Sequence, residues 1–379
     1  MKKYNKLITL CILSASASYA ATHEAEITTN LGYDSNPLRI EDDDKGGAFA
    51  ELDLGYEYTN KLESGKELSF GADYYHRTYD GAVDDADRWS AKIDGAFKFA
   101  ERETAIGKLR PDVTADLNWS DRTYTSRNTG KPASFGGQSI EDRYDSFWLD
   151  LNAGLRDRIN RKVSLYLDFD YRIKDYRKDY QSLGLDRLDY EQFGVRPRIR
   201  YRFNKSLYGY LGYKYQRRSY DDRRQRTLAN TVIPGTDLKY DHHSVDLDLT
   251  YKFNDHWSTK FGGGVLKRED NGTGYADKSE YSAYVKAIYE AREQDKYSLE
   301  IAYIKREFDN PTIDPNGINE ETPGKEGWSV EFETKTEIKL ANIQNLFLVS
   351  SISYDDFDET PTYFRYDRYQ VSIGLSKEF

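Results

Sequence analysis

The sequence predicts an all-β fold: a transmembrane antiparallel up-and-down β-barrel of about sixteen strands, with short periplasmic turns and long extracellular loops. Three observations carry this expectation. Apolar and polar residues alternate with period 2 in segments of about ten residues along the whole chain, and helical periodicity is nearly absent. The connections between these segments alternate short and long. The last segment is amphipathic and ends on an aromatic residue, Phe379.

Composition agrees once the barrel is assumed. Of 379 residues, 32 % are charged, and the formal net charge is −10. No stretch after residue 20 is apolar for the roughly 18 residues that a membrane helix needs. Such polarity suits a soluble or disordered chain, but 33 Tyr, 17 Phe and 5 Trp argue against disorder. In a barrel only every second strand residue meets lipid, so average hydropathy stays low. The competing fold, a large soluble β-sandwich, leaves the placement of the aromatics and the last strand unexplained.

Residues 1–20 read as a signal peptide. Lys2, Lys3 and Lys6 form a positive start, Leu7 to Leu13 an apolar core, and Ser18-Tyr19-Ala20 a cleavage site before Ala21. The single cysteine, Cys11, lies in this segment, so the mature barrel of residues 21–379 has no thiol and no disulfide. The expected location is the outer membrane of a Gram-negative bacterium.

The alternating segments fall near 24–33, 48–58, 67–77, 88–99, 109–120, 144–156, 162–174, 189–203, 206–218, 243–253, 256–267, 280–291, 297–306, 327–338, 346–354 and 367–379. In the tenth, Val245, Leu247, Leu249, Tyr251 and Phe253 share one face, and Asp246, Asp248, Thr250 and Lys252 share the other. Asn204-Lys205, Asn254-Asp255 and Arg292 to Lys296 make tight turns. Long polar loops fall near 121–142, 219–242 and 307–326. An even strand count brings both chain ends to the periplasmic side.

Aromatic residues on the lipid face cluster at strand ends. Tyr58, Phe99, Phe203, Phe253, Trp257, Tyr289, Tyr297 and Phe379 fall at the periplasmic side. Tyr33, Tyr74, Trp119, Tyr171, Tyr215, Tyr281, Tyr303, Trp328, Tyr354 and Tyr369 fall at the outer side. These are the two girdles expected at the membrane interfaces. The last strand places Tyr369, Val371, Ile373, Leu375, Lys377 and Phe379 on one face. It resembles the C-terminal signature of outer-membrane proteins, which implies recognition by the barrel-assembly machinery.

A sixteen-stranded barrel leaves an aqueous lumen unless loops or salt bridges plug it. The inward face is densely charged, with Glu51, Asp53, Asp94, Asp112, Asp116, Asp150, Asp246, Asp248, Glu331 and Glu333 among Lys92, Lys98, Lys260, Lys286 and Lys335. Its strongest feature is a column of arginines. With Val195, Pro197, Ile199, Tyr201 and Phe203 facing lipid, Arg196, Arg198, Arg200 and Arg202 all face the lumen. The preceding strand offers Asp168 and Asp170, and the following one Tyr208, Tyr210 and Lys214. A tight turn at Asn204-Lys205 sets Arg202 beside Tyr208 and Arg200 beside Tyr210. Two readings stay open: an Arg/Tyr track for an anionic or sugar-like solute, or an Arg–Asp ladder that braces the wall.

Two short motifs carry resemblances. Leu31-Gly32-Tyr33-Asp34-Ser35-Asn36-Pro37-Leu38-Arg39 resembles the Gly-Tyr-Asp-Ser-Asn opening of a large family of β-barrel porins often associated with exopolysaccharide or capsule synthesis. That resemblance implies export of a polysaccharide, with periplasmic export components as partners. Pro132-Ala133-Ser134-Phe135-Gly136-Gly137 resembles the constriction-loop stretch of general trimeric porins, with Ser134 in place of a glutamate. It implies that Phe135, Gly136 and Gly137 sit on a loop folded into the lumen. Charge density is higher than in the trimeric porins, which favours the first resemblance.

Weaker signals remain. Glu41 to Asp44 is an acidic run, Asp241-His242-His243 lacks a further histidine for a metal site, and Arg217-Arg218 with Arg223-Arg224-Gln225-Arg226 forms a basic patch that would suit lipopolysaccharide phosphates. No Gly-rich phosphate loop, Cys cluster, Rossmann fingerprint or nucleophile–base pair stands out. The expectation is a channel without cofactor, metal, catalysis or nucleic-acid partner, in contact with outer-membrane lipid and lipopolysaccharide. It would pass saccharide, an exported exopolysaccharide first, through a polar lumen. The alternatives are a general diffusion porin and a closed structural or adhesive barrel acting through its outer loops.

Overall fold

The computed structural model describes residues 21–39, 46–81, 84–105, 107–125, 131–291, 295–310, 312–313, 320–321, 324–340, 343–360 and 365–379. The expected signal peptide, the acidic run 41–44, residues 126–130 of the third outer loop, residues 292–294 of the turn from Arg292 to Lys296, and residues 311, 314–319 and 322–323 of the loop near 307–326 lie outside them.

Among the described residues, sixteen long strands close one barrel. They are β1 (Ala21–Asp34), β2 (Gly47–Lys61), β3 (Glu67–Tyr79), β4 (Arg88–Lys98), β5 (Lys108–Arg122), β6 (Ser146–Arg158), β7 (Val163–Tyr176), β8 (Tyr190–Arg202), β9 (Leu207–Tyr220), β10 (Lys239–Lys252), β11 (Trp257–Asp270), β12 (Lys278–Glu290), β13 (Lys296–Phe308), β14 (Gly324–Glu337), β15 (Leu346–Thr360) and β16 (Tyr366–Glu378). Each pairs antiparallel with its neighbours in sequence, and β1 closes on β16. Closure leaves no open sheet edge, so the backbone satisfies itself inside a bilayer.

Register carries the alternation round the wall. Ile27 lies beside Leu54, and Leu54 beside Tyr74, so one face stays apolar from strand to strand. Leu31, Phe70, Leu211, Phe253, Ile352 and Ile373 stand exposed on that outer face. A continuous apolar belt of this kind is a surface that lipid covers. Among the described residues, no helix is long and apolar enough to cross a membrane. The girdles form, with Trp257 stacked on Tyr289 at 4.6 Å at one rim and Tyr303 against Trp328 at 4.7 Å at the other. Tyr58 differs from its neighbours, being buried between His23 and Phe70.

Several strands run further outward than their apolar alternation. The strand read at 346–354 ends at Thr360, and the one read from 243 begins at Lys239. A strand of 15 residues spans about 50 Å at about 3.3 Å per residue. The apolar band is only about 25 Å tall, so polar hairpin ends project beyond it.

Turn chemistry sets each end. At the inner end, where the turns are short, Asn160, Asn204 and Asn254 each accept two backbone N–H bonds through Oδ1, from residues two and three further on. These Asx turns close three hairpins alike. At the outer end an aspartate stands one residue before four descending strands. Asp87, Asp145, Asp189 and Asp277 accept the backbone N–H of Tyr79, Arg122, Tyr176 and Asp270 respectively. Each thereby caps the last donor of the ascending strand.

The β1–β16 seam pairs only Glu26–Asp34 with Gln370–Glu378, a shorter ladder than the neighbouring β1–β2 pairing of Ala21–Asp34 with Gly47–Asn60. Side chains clamp both of its ends. At the outer end Asp34 is fully buried and accepts Arg368 through both carboxylate oxygens, together with Tyr79 Oη at 3.0 Å and Asn36 N at 3.1 Å. Asn36 Nδ2 donates to Asp367 O, and Ser35 Oγ accepts Tyr369 N. The Asp-Ser-Asn motif therefore stitches the first strand to the last. At the inner end Glu26 meets Ser376 and Lys335, and Phe379 N donates to Ala25 O.

Candidate functional site: a basic, tyrosine-lined lumen wall

The inward faces of β5 to β9 carry the arginine column and its surroundings. Arg200 lies opposite Tyr210 and Arg202 opposite Tyr208, as the tight turn requires. The column does not behave as one unit. Its outer half is paired: Arg196 donates to Asp246 at 2.8 Å across β9, and Arg198 donates to Asp168 Oδ2 from Nη2 at 2.7 Å and Nε at 3.0 Å. Asp170 takes no arginine; it accepts Gln216 at 3.1 Å and lies 3.5 Å from Lys214.

Nearer the short-turn end, aromatic rings replace the carboxylates. The Arg200 guanidinium sits 4.7 Å from the Tyr208 ring and 5.7 Å from Tyr210. Its Nε is buried without a hydrogen-bond partner, as is that of Arg196 in the outer half. Among the described residues, Arg202 donates to the turn carbonyl of Asn204, at 3.2 Å. The outer half of the column is thus paired with carboxylates and the inner half lies against tyrosine rings.

Three residues outside the column belong to the same surface. Register places Arg110 opposite Arg156, Arg156 opposite Tyr166, and Tyr166 opposite Arg198. The Tyr166 ring has Arg156 at 5.5 Å and Arg198 at 5.2 Å. It also approaches Tyr210 at 6.0 Å. Reading strands one at a time misses these residues, because they meet only after four strands are put in register.

Glycines let the acidic partners lie flat. A β-carbon on Gly212 would come 2.8 Å from the Asp246 carboxylate, which folds across β9 at that point to reach Arg196. One on Gly262 would meet the Tyr284 ring at 2.0 Å, and Tyr284 rests there with its hydroxyl on Asp248 at 2.8 Å. Side chains that lie along the wall leave lumen cross-section free.

Charge of both signs lines the wall. Arginine crowds β8 and its neighbours among Asp150, Asp168, Asp170 and Asp246, and Glu26, Glu51, Asp53, Glu300, Glu331 and Glu333 project from β1, β2, β13 and β14. Lys286 reaches Glu300 at 3.1 Å and Lys335 reaches Glu26 at 3.0 Å. Two weaker sequence signals find partners within the chain. Arg217 pairs with Asp241, Arg218 with Gln192, Arg224 with Asp237 and Arg226 with Asp186, and Arg223 lies over the Tyr220 ring. His242 and His243 alternate onto opposite faces, with His243 bonded to Tyr213 at 2.7 Å.

Two others find plain geometry. Ser134–Phe135 pairs with Gln138–Ser139 as a small hairpin, turning at Gly136 and Gly137 with φ 59° and 80°. Phe135 is exposed, and nothing lies within 4 Å of a β-carbon on either glycine. Tyr369, Val371, Ile373, Leu375 and Phe379 all face outward from β16 or its end.

No protein-family model and no curated protein sequence matches the chain. Its structure is similar to several solved barrels. An anion-selective porin from Comamonas acidovorans aligns at 12 % identity and TM-score 0.46, covering 95 % of this chain and 99 % of that one. A bacterial polysaccharide outer-membrane secretin aligns at 8 % identity and TM-score 0.45, covering 96 % and 100 %. OccAB2 of Acinetobacter baumannii aligns at 11 % identity and TM-score 0.46, covering 94 % and 98 %. At these scores a likeness conveys no role.

Proposed function

We propose that this chain is an outer-membrane channel that passes saccharide, an exported polysaccharide first, through its lumen. The observation that carries the reading is the surface around Arg200. There, cationic side chains with unspent donors alternate with tyrosine rings on a wall whose other charges are largely paired. Rings stack on sugar faces, hydroxyls and guanidinium forks bond sugar oxygens, and none of these contacts needs cofactor or catalysis. Transport would be passive: sugar exchanges its hydration for successive wall contacts. Export from the periplasm would require a signal peptide at 1–20, assembly through the C-terminal strand and periplasmic machinery that supplies polymer.

The second reading is a general diffusion porin for small polar solutes. It is favoured by the inward ion pairs Arg196–Asp246, Arg198–Asp168 and Lys286–Glu300, which make the wall polar without offering free ligands. Partition of neutral and acidic oligosaccharides into liposomes bearing the protein separates the two. The saccharide reading predicts uptake that saturates with concentration for at least one class, and uptake of both that stays linear supports the diffusion porin.

A further inference from the structure

We infer that the wall from β5 to β9 is a binding shelf for an anionic, uronate-type glycan chain, built from Arg156, Tyr166, Arg200, Tyr208 and Tyr210 with Arg110 at its edge. This rests on the saccharide reading and specifies its substrate class.

The shelf is continuous. Arg156 and Arg198 flank the Tyr166 ring, Tyr166 approaches Tyr210 at 6.0 Å, and Arg200 lies between Tyr210 and Tyr208. Cation and ring thus alternate across four adjacent strands. Cations in this density need anions, and few are in ion-pair range. Arg198 has Asp168, Arg110 has Glu67 at 3.9 Å, and Asp112, laid across Gly154, forms no ion pair with Arg110 or Arg156 among the described residues. Among the described residues, Arg156 and Arg200 have no carboxylate partner. The Nε atoms of Arg110 and Arg200 are buried without a hydrogen bond.

Stacking explains how the unpaired cations are held. A guanidinium over a ring is stabilised through its face, while its N–H fork stays in plane and free. That fork matches a carboxylate bidentately. A small inorganic anion would use the arginines and leave three tyrosines idle. A neutral sugar would use the tyrosines and leave the charge unanswered. A sugar chain with a carboxylate on each unit satisfies both. The shelf lies towards the end of the barrel closed by the 159–162 and 203–206 turns, the periplasmic end, where exported polymer would enter.

The test is current block in a planar bilayer by tetragalacturonate, maltotetraose and monomeric galacturonate, for the wild type and for Arg156→Gln with Arg200→Gln. Retention of the heat-resistant folded band checks assembly of the variant. The expected result is that tetragalacturonate blocks at the lowest concentration and that the double variant weakens its block about tenfold to a hundredfold. The block by maltotetraose should move far less. Equal block by the two tetrasaccharides, or a tetragalacturonate block unmoved by the double variant, would overturn the shelf and leave a saccharide channel standing. Block by the monomer at the same concentration as the tetramer would reduce the site to one for small anions. An open channel that neither tetrasaccharide blocks would remove the saccharide reading itself.

Discussion

Removing the Asp34 carboxylate tests how the barrel is closed. Asp34 is fully buried, and Arg368 across the seam is nearly so. The carboxylate takes Arg368 Nε at 2.9 Å and Nη2 at 2.6 Å, with Tyr79 Oη and Asn36 N as further donors. In Asp34→Ala the guanidinium keeps Gln370 at 2.6 Å and a distant Asp355 at 3.6 Å. Breaking a buried ion pair by removing one partner costs about 3–5 kcal/mol. The surviving contacts place Asp34→Ala near the lower end, about 3 kcal/mol, or roughly a hundredfold in the folding equilibrium. The assay is urea unfolding in phospholipid vesicles, followed by tryptophan fluorescence and by the folded gel band. Replacing both partners, Asp34→Leu with Arg368→Met, should restore much of the loss, because no orphaned charge remains. Single variants within about 0.5 kcal/mol of the wild type, or a double variant equal to the sum of the singles, would refute the latch.

Two further expectations follow from single positions. Gly262→Ala puts a β-carbon where the Tyr284 ring now rests, so the ring must swing off the wall. Single-channel conductance should fall while the folded band persists, and unchanged conductance would show that the ring has room elsewhere on the wall. Asp277 stands outside β12, and burial first, then the charges of Asp270, Asp309 and Glu269, holds its pKa above 3.8 against the opposing bond from Asp270 N. A carboxyl raised in the fold favours the protonated protein, so the cost of ionising it is absent below its ordinary pKa and complete above its raised one. Asp277→Asn should therefore raise the thermal midpoint at pH 7 and give no gain at about pH 3.5. A gain of equal size at both would contradict the sign.

Much of this architecture was legible because strand alternation is a local property. Val195, Pro197, Ile199 and Tyr201 settle which way Arg196 to Arg202 point without knowledge of any neighbour. The short turn at Asn204-Lys205 likewise sets Arg200 against Tyr210. What stayed hidden depends on register over several strands or on closure. Arg156 and Tyr166 join the arginines only when β6, β7 and β8 are aligned. Arg196 finds Asp246 two strands away because Gly212 leaves the space between them. Asp34 stands in the opening motif, and its partner Arg368 lies at the other end of the chain. Outer strand limits at Lys239 and Thr360 were missed for a different reason. Beyond the bilayer both faces are polar, so the ladder continues after the alternation stops.

Single-channel current in a planar bilayer, with and without acidic oligosaccharide, reads at once whether the lumen is open and whether it holds saccharide. A steady open current that acidic oligosaccharide interrupts at low concentration is the expected result. A protein that inserts fully folded yet carries no current would contradict it, and so would a current that no sugar disturbs.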